Sequence, residues 1–208
     1  MEVPERPMLF AKFSNTLCGH EDPIVLPSGI GHVDAEAELA MVIGETGRNL
    51  SERNALDVVE GWTCANDVSA REAQFSDGQW FRGKGYDTFC PIGPTIVPRR
   101  DLDPSNLLIT QRVNGLIIQQ SRTSQLLFSL VDLLVFVSSV LTLEPGDLVL
   151  TGTPPGVGYF RTPPHQLSLG DVVEVEIEGV GLLRNPVAAG DVRRVVPDAA
   201  LVADPADD

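Results

Sequence analysis

Basic residues are scarce in this chain: 15 Lys and Arg stand against 29 Asp and Glu, a formal net charge of −14 over 208 residues. A nucleic-acid or anionic-membrane partner needs clustered positive charge to neutralise phosphates, and the doublets Arg99-Arg100 and Arg193-Arg194 read as solvated turns. Cysteine is equally sparse. Cys18, Cys64 and Cys90 are odd in number, widely spaced and lack a Cys-x-x-Cys pair, which excludes a disulfide framework and a zinc ribbon and leaves three packing thiols.

Long apolar runs are missing too. The most apolar stretch, Leu126 to Leu141, is interrupted by Ser129, Asp132, Ser138 and Ser139 and falls short of the ~20 residues that span a bilayer. It is expected as a buried helix capped by Thr123 or Ser124. The start, Met1 to Arg6, is polar and contains proline instead of a basic segment followed by an apolar one, so no secretory leader is visible and a cytoplasmic location is expected.

What remains is ordinary globular composition, 43% hydrophobic and 21% charged, at a length that suits one domain. Strand signals dominate. Leu107 to Val113 ends at the hairpin dipeptide Asn114-Gly115, with Leu116 to Gln119 returning; Asp147 to Thr151 follows a Pro-Gly turn; Gly181 to Val187 closes the series. Val173, Val175 and Ile177 alternate with Glu174, Glu176 and Glu178, a half-buried strand with a solvated acidic face. Ser51 is placed to cap a short helix over residues 52–60 ended by Gly61, and Val68 to Phe75 predicts a further helical turn or two. The expected fold is a β-rich α+β domain over residues 1–187, a rolled or sandwiched sheet with peripheral helices. Residues 188–208, rich in Ala, Asp and Pro, read as an acidic flexible tail.

Three groups of residues carry chemistry. Glu36 and Glu38 open an apolar run to Ile43; in a strand, side chains at i and i+2 leave one face, so both carboxylates converge while Ala37, Leu39, Met41 and Ile43 enter the core. An isolated Glu-x-Glu is usually a solvated face, but Ala40 and Val42 continue this face as apolar surface, where unpaired charge is costly. With Asp67 in Asn66-Asp67-Val68-Ser69-Ala70-Arg71, three hard oxygen ligands suit Mg²⁺, Mn²⁺ or Ca²⁺ better than zinc.

The second group is Arg71, Gln74, Gln79, Trp80, Arg82 and Lys84. It reads either as a solvated helix and loop or as a pocket for a small anion, Arg71 gripping a carboxylate through its planar fork. The third is the turn Thr151-Gly152-Thr153-Pro154-Pro155-Gly156-Val157-Gly158. It lacks the Lys-Ser/Thr of a P-loop, so it is either a structural turn or one whose backbone N–H groups, such as that of Gly152, hold a carboxylate or enolate oxygen with the Thr153 hydroxyl assisting.

These stretches, together with Phe10-Ala11-Lys12-Phe13, Asp87-Thr88-Phe89, Val113-Asn114-Gly115 and Leu143-Glu144-Pro145-Gly146-Asp147, resemble the fumarylacetoacetate hydrolase family in the same order over about residues 7 to 187. The resemblance implies a mixed β-roll that forms a homodimer and holds Mg²⁺ or Mn²⁺ through Glu36, Glu38 and Asp67. It implies small keto-acid substrates and one of three reactions: C–C hydrolysis of acylpyruvates, decarboxylation of oxaloacetate, or isomerisation and decarboxylation of dienedioates. Arg71, Gln74 and Lys84 would be catalytic, with Thr153 and Gly152 contacting substrate. Related proteins carry a segment Asn-Tyr-x-x-His-x-x-Glu, supplying a water-activating His-Glu dyad, upstream of the Phe-x-Lys stretch. This chain begins after that point, which leaves either a truncated start or a base supplied otherwise. His20 is the candidate substitute, with His32 also near the metal region and His165 in a Pro-rich loop.

Overall fold

A computed structural model describes residues 4–190. In chain order its strands and α-helices are β1 (Leu17–Cys18), β2 (Ile24–Leu26), β3 (Val33–Asp34), β4 (Ala37–Ile43), β5 (Val59–Asn66), β6 (Ser69–Ala70), α1 (Arg71–Ser76), α2 (Phe81–Lys84) and β7 (Cys90–Pro98). The series continues with β8 (Leu108–Val113), β9 (Leu116–Arg122), α3 (Leu130–Val140), β10 (Leu148–Leu150), β11 (Val172–Ile177) and β12 (Gly181–Ala189). One five-stranded sheet has the order β1-β7-β5-β4-β10, a second the order β2-β12-β11-β8-β9, and β3 pairs with β6 in a small ribbon. Parallel pairs β1/β7 and β2/β12 sit at the edges of otherwise antiparallel sheets, so the fold is the mixed β-roll expected.

The period-two pattern of β4 builds the core. Ala37, Leu39, Met41 and Ile43 point inward and meet Trp62 and Cys64 of β5, Ile109 of β8, Val175 and Ile177 of β11 and Leu134 of α3. Each fully buried large side chain of this cluster contributes roughly 1.5–3 kcal/mol. A second cluster around Val33, Val68, Phe89, Val113 and Val173 lies under the β3/β6 ribbon. Glu36, just before β4, and Glu38 occupy the opposite parity, on the face that also carries Ala40 and Val42.

The hairpin signal at Asn114-Gly115 is realised with φ of 51° and 78°, both left-handed, the geometry a two-residue turn needs. Glu176 of β11 pairs with Arg112 of neighbouring β8 at 2.7 Å, and Glu178, just past β11, with Arg122 at the end of β9 at 3.4 Å, both ion pairs at the surface. The three cysteines are free, as expected.

Several boundaries differ from the sequence expectation, among them the helical turn expected over 68–75, where β6 pairs with β3 and the helix begins only at Arg71. Instead of a helix over 52–60 there is one 3-10 turn, Ala55–Val58, and β5 begins at Val59. Pairing of β5 with both β4 and β7 wins over local helix propensity, and Gly61 is inside the strand because a Cβ there would lie 2.4 Å from the Val97 carbonyl. Helix α3 starts at Leu130 under Ser129, which exchanges hydrogen bonds with Asp132 in a capping box; Thr123 and Ser124 sit in an upstream 3-10 turn. Strand β9 runs to Arg122, past Gln119. Strand β12 runs to Ala189, paired with Leu26, so the expected tail does not begin at Ala188; its residues 191–208 lie outside the described part.

Candidate active site

Four segments distant in sequence meet at the N-terminal end of β4. Glu36 and Glu38 come from the strand start and Asp67 from the turn after β5, where its backbone N–H bonds the Glu36 carbonyl at 2.9 Å. One carboxylate oxygen from each of the three lies within 4.8 Å of the others, and all three residues are buried. Parity in the strand accounts for the glutamates, and the β4/β5 pairing of Ala37 with Asn66 accounts for Asp67.

Burying carboxylates this close requires compensation. Lys84, at the end of α2 and 1% exposed, places Nζ 2.5 Å from Asp67 Oδ2 and 2.9 Å from Glu36 Oε2. Lys12 reaches the other Asp67 oxygen at 2.7 Å and donates to the Lys84 carbonyl at 2.8 Å. Arg71 donates from Nε to Asp34 at 2.7 Å, from Nη2 to Glu36 at 2.6 Å and from Nη1 to the Gln74 side chain at 2.9 Å. Asp34 in turn accepts the Tyr159 N–H at 2.7 Å, which ties the glycine-rich loop to this network.

Glu38 is the exception. It has no Lys, Arg or His partner among the described residues; its hydrogen bond comes from the Gly152 N–H at 2.6 Å. Burial, with Asp67 and Glu36 alongside, holds its carboxyl well above the usual carboxylate range, against the opposing pull of Lys84 and Gly152. For Asp67 burial acts upward as well, but Lys84 and Lys12 outweigh it and keep the group below its ordinary value. Burial would lower Lys84 and Arg71, yet their carboxylate partners hold both above their ordinary values. With all four carboxylates (Asp34, Glu36, Glu38, Asp67) ionised against three cations (Lys12, Arg71, Lys84), one negative charge is in excess, and burial disfavours it at Glu38. An oxygen-only donor set with surplus negative charge fits a hard divalent cation.

Of the residues assigned to the site from the sequence, Glu36, Glu38, Asp67, Arg71, Gln74, Lys84, Gly152 and Thr153 are drawn into this region, whereas Gln79 is exposed, Arg82 is exposed and paired with Asp77, and His20 lies apart. Arg71 and Gln74 are buried and engaged with each other, and Arg71 grips protein carboxylates. The Gly152 N–H is directed at Glu38, and the Thr153 hydroxyl donates to the Ala37 carbonyl at 3.0 Å. His20 instead lies against β12, its Nδ1 accepting the Arg184 N–H at 3.1 Å. His32 packs edge-on against Tyr159, and its carbonyl accepts the Arg71 N–H. Trp80 and Phe81 pack against the N-terminal segment, tilted at 5.4 Å from Phe10 and edge-on at 5.0 Å from Phe13, and the Phe10 ring lies 5.1 Å from Lys84 Nζ.

Sequence reading assigned no role to Lys12, Asp34 or Gln119. Lys12 had one signal, a lone cation between two phenylalanines; Asp34 had another, a lone acid in the apolar run before Glu36. Gln119 had none that separated it from Gln120.

A curled, mixed sheet carrying this acidic triad defines the class, and comparison with known proteins names it. Residues 1–188 match the model of the fumarylacetoacetate hydrolase C-terminal domain, and the chain belongs to that family. It is 50% identical over 188 residues to a mitochondrial oxaloacetate tautomerase of Xenopus laevis, covering 89% of this chain and 59% of that protein. Among solved structures it is similar to a 5-carboxymethyl-2-hydroxymuconate delta-isomerase of Mycobacterium smegmatis, with TM-score 0.84 and 44% identity over 91% of this chain and 72% of that one. A 2-hydroxyhepta-2,4-diene-1,7-dioate isomerase of Mycobacterium marinum is similar at TM-score 0.84 and 45% identity, covering 89% and 70% of the two chains. No helix among the described residues is long and apolar enough to cross a membrane.

Proposed function

We propose that this chain is a Mg²⁺- or Mn²⁺-dependent enzyme acting on small keto acids, by decarboxylation or by C–C bond hydrolysis of the acylpyruvate type. The observation that carries this reading is Glu38, a buried carboxylate beside two others with no basic partner of its own among the described residues. Glu36, Glu38 and Asp67 would hold the cation. When bound, it would draw electron density from the keto and carboxylate oxygens of the substrate and lower the cost of the charge that develops as the bond breaks.

The chain's own groups supply the rest. Lys84 keeps a proton and a positive charge at Nζ, between Glu36 and Asp67. Arg71, held in one orientation by Asp34 and Glu36, and Gln74 beside it present further donors for a substrate carboxylate. In decarboxylation of oxaloacetate the C–C bond to the distal carboxylate breaks, carbon dioxide leaves, and the electron pair stays on the pyruvate fragment until a proton replaces it. That step activates no water, so it needs no His-Glu dyad. Hydrolysis of an acylpyruvate adds water across the C–C bond and does require a base.

A second reading, keto–enol tautomerisation or dienedioate isomerisation, is favoured by the named activities of the Xenopus and Mycobacterium relatives. It uses the same residues, since moving a proton between carbon and oxygen breaks a C–H or O–H bond and makes the other, which needs the electron sink but no C–C cleavage. We propose also that the chain works as a homodimer, supported by the exposed apolar residues Met8, Leu9, Phe13 and Phe81 around the N-terminal segment.

The test is specific Mn²⁺ binding by the chain and by D67A, followed by turnover of oxaloacetate and acetylpyruvate. Binding that D67A abolishes, with metal-stimulated turnover, supports the reading. Binding without turnover would reduce the chain to a metal- and keto-acid-binding protein, and no binding would remove the metal altogether.

A further inference from the structure

Ala37, between the two glutamates, lies beyond the stretch of β4 that β10 pairs, and on that side no strand among the described residues takes its backbone groups. Two side chains take them instead. Gln119, buried in β9, accepts the Ala37 N–H at Oε1 over 3.0 Å, and Thr153 donates its hydroxyl to the Ala37 carbonyl over 3.0 Å. Gln119 Nε2 then donates to Thr153 Oγ1 at 2.9 Å and to the Pro154 carbonyl at 2.6 Å, closing a ring of hydrogen bonds.

The ring runs in one direction only. Turning the Gln119 amide over would set its NH₂ against the Ala37 N–H and its oxygen against the Pro154 carbonyl, two repulsive contacts in a buried place. With the amide fixed, Thr153 must accept from Gln119 and spend its own proton on Ala37. Thr153 is only half-buried, and its hydroxyl retains one free acceptor position. The surrounding loop is mounted on the same strand: Arg161 donates to the Ile118 carbonyl at 2.8 Å, and a Cβ on Gly156 would lie 3.1 Å from that carbonyl.

We infer that Gln119 is a positioning residue of the metal site. It fixes the backbone between Glu36 and Glu38, and so the spacing of their carboxylates, and it sets the Thr153 hydroxyl to meet a ligand as an acceptor. The ligand atom opposite Thr153 is then one that carries a proton. This rests on the metal reading above but names a residue outside the ligand set, one that touches neither cation nor substrate.

Gln111 provides the contrast. It faces Gln119 across the β8/β9 pair, is equally buried, and neither its amide nitrogen nor its oxygen has a partner among the described residues. A merely structural need for a buried amide here predicts equal effects at the two positions. Positioning predicts an effect at Gln119 alone.

The experiment is Mn²⁺ titration by calorimetry of the whole chain and of Q119M, Q111M, T153V and T153S, each checked for a cooperative melt. Loss of a residue that orients a ligand typically weakens metal affinity about 10- to 100-fold. Q119M is expected in that range, with Q111M close to the parent. Equal affinities for Q119M and Q111M overturn the inference. If Q119M does not fold, the threonine pair decides: T153V weakened and T153S retained supports the ring, and T153V binding as the parent does overturns it. Failure of the parent chain to bind Mn²⁺ is a separate outcome that removes the metal reading itself, and this inference with it.

Discussion

Lys84 Nζ lies 2.5 Å from Asp67 Oδ2 in a place where both side chains are 1% exposed, and the other Asp67 oxygen is claimed by Lys12 at 2.7 Å. A buried carboxylate held by two ammonium groups is locked in position and ionised, which is what a metal ligand requires of its surroundings.

Removing that ammonium should leave Asp67 and Glu36 under-compensated. K84M is expected to cost about 3–5 kcal/mol of stability, the usual penalty for breaking a buried pair from one side. Added Mn²⁺ should recover part of the loss by supplying positive charge to the same oxygens. Thermal unfolding with and without the metal measures both effects, and an unchanged melt would mean that the pair is not formed.

Asp34 aims Arg71 from behind while Arg71 also grips Glu36. D34N should loosen the guanidinium without removing a metal ligand. Steady-state kinetics on a keto acid should then show KM rising more than kcat falls, by roughly tenfold. A variant with unaltered KM would show that Arg71 is not a substrate contact.

How much of this was legible in the sequence follows from how far each signal reached. Glu36 and Glu38 were legible because strand parity is local, and Val173, Val175 and Ile177 announced β11 for the same reason. Asn114-Gly115 announced its turn because few residues tolerate two left-handed positions in succession. Lys12 and Asp34 gave only a faint local signal and Gln119 none, because their partners lie 55, 37 and 82 residues away, at distances set only by packing. The expected helix over 52–60 failed likewise. Its local propensity was outweighed by pairing of β5 on both edges, which a single segment cannot reveal.

The capping box of α3 offers a control remote from the site. Ser129 accepts the Asp132 N–H at 3.1 Å, and Asp132 accepts the Ser129 N–H at 3.0 Å. S129A should lower stability by about 1 kcal/mol in chemical denaturation and leave Mn²⁺ affinity untouched. A loss of metal affinity in S129A would mean that the site responds to global stability and not to its own contacts.

The thiols set the alkaline limit. Burial pushes Cys18, Cys64 and Cys90 up from 9.0 to about 12. Folded thiols therefore stay protonated above pH 9 while unfolded ones ionise, so the unfolded state binds fewer protons and stability falls as pH rises from 9 toward 12. Urea midpoints at about pH 8 and about pH 10 should differ in that direction, and the buried thiols of Cys64 and Cys90 should react with a disulfide reagent only as fast as the chain opens. Rapid labelling of either in the folded chain would contradict the burial.

The most direct test of the central claim is oxaloacetate turnover by the 208-residue chain in Mn²⁺ and in EDTA, following enol loss and pyruvate formation together, beside E38Q. The account predicts metal-dependent turnover that EDTA abolishes and that E38Q, which removes the one carboxylate of the triad without a basic partner among the described residues, reduces sharply. Turnover equal in Mn²⁺ and EDTA, or undiminished in E38Q, would contradict it.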